Sequence, residues 1–335
     1  MYSGFNLHIN EDAAIFSEYG FETLKENGKR HLEDQRSKFQ KEITEYVMQE
    51  EINGSEIQNS WFPQIEADVF ISHSRQDEEL ACALAGWLHK HFELRCFIDS
   101  NVWGYAGELR EKLNDKVSNK REDGEGGYLL DHQSCNEVSQ HVDTMLTIAL
   151  YQTIDRVETV FLLNTENAVQ TVHSGRQMDK TYSPWIYSEV ICTQLVRKKP
   201  LLVYREYETG SLEHALYESM KFAMHISISY TFSLTHLISI DGGDLSRWQE
   251  EYEQEKQEYD YPLDALYNFK RPKEVERTKE LFSKLDSDSI GILKQAYSSD
   301  GTNGEIWHDM KDEACQYSCC CGECVCERKR KRCNG

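Results

Sequence analysis

Four short stretches of the chain hold side chains at spacings that could do chemistry. Ser72 and His73 directly follow the apolar triplet Val69-Phe70-Ile71, so they stand at the carboxyl end of a strand, where polar groups reach ligands. Asp99 closes a second strand pattern, near where an acidic residue can bind ribose hydroxyls in a doubly wound fold. Trp185 and Glu189 lie four residues apart behind Ser183-Pro184, a good N-cap and first-turn pair, and so share one face of a helix. Cys321-x-x-Cys324 has a spacing suited to zinc, but no second pair stands at the usual distance. Read alone, these residues leave plain alternatives open. Glu189 could be an exposed helix residue paired with a cation, Trp185 a core anchor, and His73 a structural or solvated histidine. The cysteine tail could be disordered, or lipidated beside its basic run, Arg328 to Arg332.

The elements that must position these residues follow from hydrophobic patterning. The triplet at 69–71 reads as a strand buried on both faces, and Ser74 with Asp77 can form a capping box for the helix after it. That helix places Leu80, Leu84, Trp87, Leu88 and His91 along one stripe. Further strands are predicted at Arg95 to Asp99, Val160 to Leu163, Leu201 to Tyr204 and Leu237 to Ile240, with helices between them, one near Leu212 to Ala223. Strands alternating with helices imply an α/β fold: a flavodoxin-like, doubly wound, parallel five-stranded sheet with helical flanks at both ends. The domains expected are a helical N-terminal extension at 1–60 and a sheet domain at 64–258 with an exposed insertion near 118–134. A helical region at 259–312 and a Cys-rich basic tail at 313–335 follow.

Composition excludes several classes of function. The net charge of −21 repels phosphate backbones, so no nucleic-acid partner is expected. No apolar run is long enough to span a bilayer and no secretory signal opens the chain, so the expected location is the cytoplasm. No Gly-x-Gly-x-x-Gly follows the first buried strand, which removes a Rossmann dehydrogenase. The strand at 160–163 ends in Leu163-Asn164, where a phospho-acceptor receiver needs Asp.

Phe70-Ile71-Ser72-His73-Ser74-Arg75-Gln76-Asp77 resembles the first strand and turn of bacterial TIR (Toll/interleukin-1 receptor-like) domains. Leu94 to Gly107 is similar to that family's second strand and following loop, though it lacks the proline often found there. Ser183 to Glu189 resembles the family's Trp-x-x-x-Glu helix. The resemblance implies a defence-type effector that cleaves the nicotinamide–ribose bond of NAD+. Carried over residue by residue, Glu189 takes the catalytic role. Ser72, His73, Asp99, Trp103, Gly104 and Trp185 then line the substrate, with Trp103 and Gly104 on the nicotinamide side. NAD+ would be the substrate, with no cofactor required. Self-association through TIR–TIR contacts would switch the activity on, and a non-catalytic TIR interaction module is the alternative. One carboxylate suffices for such chemistry. Nicotinamide leaves NAD+ as a neutral molecule without an acid's help, and the remaining need is to stabilise a cationic ribose.

Overall fold

Val69-Phe70-Ile71-Ser72 and Thr159-Val160-Phe161-Leu162-Leu163 are buried along their whole length, and in the computed structural model they are neighbouring strands of one parallel sheet. The structure describes residues 1–293 apart from 38–52, 103–105, 118–119, 123–127, 175, 206–228, 260, 283, 286–288 and 290. Two units divide the chain, Met1–Arg205 with Leu216–Ser283 and Glu206–Ala215 with Lys284–Gly335. Every element named below belongs to the first.

In chain order these are β1 (Ser3–His8), α1 (Phe21–Ser37), α2 (Gly54–Trp61), β2 (Val69–Ser72), α3 (Glu78–Phe92), β3 (Cys96–Phe97), α4 (Asp99–Val102) and α5 (Ala106–Val117). A hairpin, β4 (Lys120–Glu122) and β5 (Tyr128–Leu130), falls in the expected insertion, and α6 (His132–Arg156) leads to β6 (Thr159–Leu163). Next come β7 (Gln170–Ser174), β8 (Arg176–Thr181) and α7 (Pro184–Leu195). The last are β9 (Tyr230–Phe232), β10 (Ile238–Asp241), α8 (Gly242–Gln254), α9 (Pro262–Lys270) and α10 (Pro272–Phe282).

The main sheet has the order β10-β1-β6-β2-β3 with every pair parallel. This is the doubly wound, flavodoxin-like architecture that the alternation of strands and helices predicts. β7, β8 and β9 form a separate antiparallel sheet. Phe92 of α3 stacks on Trp248 of α8 at 4.0 Å between ring centres, which fastens those two helices. α1 and α3 cross closely at Gly28 and Gly86, where a Cβ on either residue would collide with the other helix's backbone.

Three expectations are corrected here. Residues 1–60 are not helical throughout: α1 and α2 lie in this stretch, but Ser3–His8 is a strand of the sheet interior, paired with β6 on one side and β10 on the other. Phe5 and Leu7 are fully buried there, and Phe5 meets Phe161 edge-on. Leu201–Tyr204 is not a strand but a 3-10 turn. With β1 on one edge of β6 and β2 on the other, no edge of β6 remains for it. The second expected strand shrinks to Cys96–Phe97, and Asp99 instead opens α4. The helix expected near 212–223 and the tail at 313–335 lie outside the described residues.

Candidate active site

The loops after β2 and β6 meet where the order of the sheet reverses, the place at which a doubly wound sheet opens a crevice beyond its strand ends. Ser72 ends β2, opposite Leu162 of β6. α7 approaches this point from a well-set start, because Ser183 Oγ accepts from the Ile186 amide at 3.2 Å and Pro184 occupies the first turn. Three contacts then fix its rotation. Ile186 and Val190 enter a small apolar cluster with Leu162 and Phe232. Tyr187 stacks on Tyr230 at 4.6 Å, and Ser188 Oγ bonds the Tyr151 hydroxyl of α6 at 2.6 Å.

That rotation turns Glu189 inward. The residue is 4% exposed, and the Ser72 hydroxyl donates a hydrogen bond to its Oε2. Burial pushes the Glu189 carboxyl well above the ordinary carboxylate range, and the charge of Asp99 pushes it the same way. The Ser72 hydrogen bond pulls in the opposite direction. Glu189 and Ser72 therefore meet from two elements that are distant in sequence, and the charge of Asp99 acts on the same carboxyl. No cation balances the carboxylate among the described residues.

The other predicted positions divide. Trp185 is half-buried and packs against the main core one turn before Glu189. His73 is half-buried and makes no hydrogen bond among the described residues. Trp103 and Gly104 lie outside the described residues, as do Cys321 and Cys324. Among the described residues no group of three His, Cys, Asp or Glu could hold a metal, and no helix is long and apolar enough to cross a membrane.

Asp77 departs from the capping-box expectation. Ser74 does cap the short turn Arg75–Asp77, accepting from the Gln76 amide. The Asp77 carboxylate instead accepts from Thr165 Oγ1 at 2.6 Å and Asn167 Nδ2 at 2.8 Å, tying the loop after β2 to the loop after β6. Sequence reasoning missed Thr165 and Asn167. The polar run Asn164-Thr165-Glu166-Asn167 directly after a buried strand was the available signal. Beside this tie lies a cleft of about 720 Å³, lined by Asn10, Gln76, Asp77, Asn164, Thr165 and Gly242 among others. It opens at the carboxyl ends of β1, β6 and β10, and neither Ser72 nor Glu189 lines it.

Compared with known proteins, the chain matches no protein-family model, no curated protein and no solved structure.

Proposed function

We propose that the protein is a TIR-like NAD+ glycohydrolase in which Glu189 stabilises the cationic ribose as nicotinamide departs. The observation that carries this reading is the Glu189 carboxyl itself, buried at the switch point of the sheet with a hydroxyl for a partner and no cation. Such a group is costly to ionise until positive charge arrives. The nicotinamide ribosyl group brings that charge, so its binding favours the carboxylate form at the moment it is needed. Asp99 adds a second negative charge to the same locus, which favours a cationic species further. Ser72 holds the carboxyl in place by its hydrogen bond. Trp185 shapes the adjoining wall, and His73, unbonded beside Ser72, is available to a ligand. Trp103 and Gly104 complete the nicotinamide side in this reading, and assembly through like domains turns the activity on.

The test is nicotinamide release from NAD+ by the concentrated, full-length protein. Release by the wild type and a fall of about 100-fold or more in Glu189→Ala is the expected result. Equal release by both proteins removes Glu189 from the mechanism. Absence of release from the assembled wild type instead makes the domain a non-catalytic interaction module.

A further inference from the structure

At the opposite end of the sheet, where β1 and β10 begin, the chain opens a second cleft of about 700 Å³. Five cations line it, Lys198, Lys199, Lys270, Arg271 and Lys273, against one carboxylate, Glu274. In a chain of net charge −21 this concentration of positive charge runs against the overall field. Three of the five have structural work. Lys199 Nζ donates to the Asp155 carbonyl and carboxylate, both at 2.7 Å. Lys270 pairs with Asp244 at 2.6 Å, and Arg271 pairs with Glu274.

Lys198 and Lys273 are different. Both are exposed, and neither has an ion pair among the described residues. One further feature points to the same ligand chemistry. α10 begins in the cleft with Pro272 and Lys273, which directs the positive end of that helix toward it. A ligand rich in acceptor oxygens would meet all these needs at once. The volume suits a molecule of nucleotide size.

We infer that this cleft binds a small phosphorylated anion, held by Lys198 and Lys273 over the amino end of the sheet. The site is separate from Glu189, which lies beyond the carboxyl ends of the strands, and it does not depend on the reaction assigned there.

Calorimetric titration of the full chain with inorganic phosphate, pyrophosphate and ADP tests it. Saturable binding of pyrophosphate or ADP in the submillimolar range is expected, weakened about tenfold or more by Lys198→Glu combined with Lys273→Glu. Both side chains are exposed, and the milder Lys198→Gln with Lys273→Gln should fall between that pair and wild type. Glu189→Gln should leave the affinity unchanged. Tighter binding of pyrophosphate than of phosphate supports a ligand with linked phosphates, and equal binding supports a single phosphoryl group. Three results overturn the site: no saturable binding of any probe at millimolar concentration, full affinity in the charge-reversed pair, or loss of binding in Glu189→Gln alone.

Discussion

Two buried glutamates sit at opposite ends of the same strand layer and are treated in opposite ways. Glu158 leads into β6 and is 7% exposed. Arg205 donates to both of its carboxylate oxygens, at 2.8 and 2.9 Å, and also reaches Asp264. Burial pushes the Glu158 carboxyl up, and the guanidinium pulls it back. Glu189, equally buried beyond the other ends of the strands, has the Ser72 hydroxyl and the repulsion of Asp99. A buried charge that only supports a fold is given its counter-charge inside the protein. A buried acid without one is a candidate functional group, because its ionised form is disfavoured until a cation is brought to it. This contrast, more than any motif, is what singles out Glu189 for the proposed role.

The comparison breaks or sharpens under three substitutions. The largest effect is expected at the paired end. Arg205→Ala strands a buried carboxylate and should cost about 3–5 kcal/mol in urea unfolding. A loss below about 1 kcal/mol would mean that Glu158 is not held by its cation.

Glu189→Gln should do the reverse to stability. The fold raises this carboxyl above its unfolded value, so it favours the neutral acid. That contribution is complete below the ordinary carboxyl range and is lost as pH rises through the raised value. The glutamine protein should therefore be more stable than wild type at neutral pH, by about 1 kcal/mol or more, with the gap closing in acid. Unfolding midpoints measured across that pH range check it, and parallel curves for the two proteins would contradict a raised Glu189.

Ser72→Ala is the smallest of the three. It deletes the interaction that favours the ionised form, so the Glu189 carboxyl moves further up. Nicotinamide release should fall about tenfold at neutral pH and recover in part as pH rises. An unaltered pH profile would show that the hydrogen bond does not tune the carboxyl.

Much of this arrangement was legible in the residues. The buried strands β2 and β6, the N-cap Ser183-Pro184 and the four-residue spacing of Trp185 and Glu189 all appear as written. Those signals are local, set by burial on two faces or by capping geometry, and no distant contact is needed to read them. β1 was hidden because Ser-Gly-Phe-Asn-Leu-His offers two apolar residues in a polar neighbourhood, and its strand state comes from pairing with β6 and β10. Leu201–Tyr204 misled for the converse reason: a short apolar run suits a buried strand and a buried turn equally.

The sequence by itself determined the α/β alternation, the doubly wound sheet and the helix that carries Glu189, because hydrophobic period and capping act over a few residues. Tertiary structure decided which segment sits beside β6, and which face of α7 turns inward. Spacing places Trp185 and Glu189 on a common face but cannot orient that face. The contacts of Ile186 and Val190 with Leu162, of Tyr187 with Tyr230 and of Ser188 with Tyr151 do so, and they carry the carboxyl out of water to Ser72. Both the burial that disfavours its ionised form and its proposed chemistry come from that rotation.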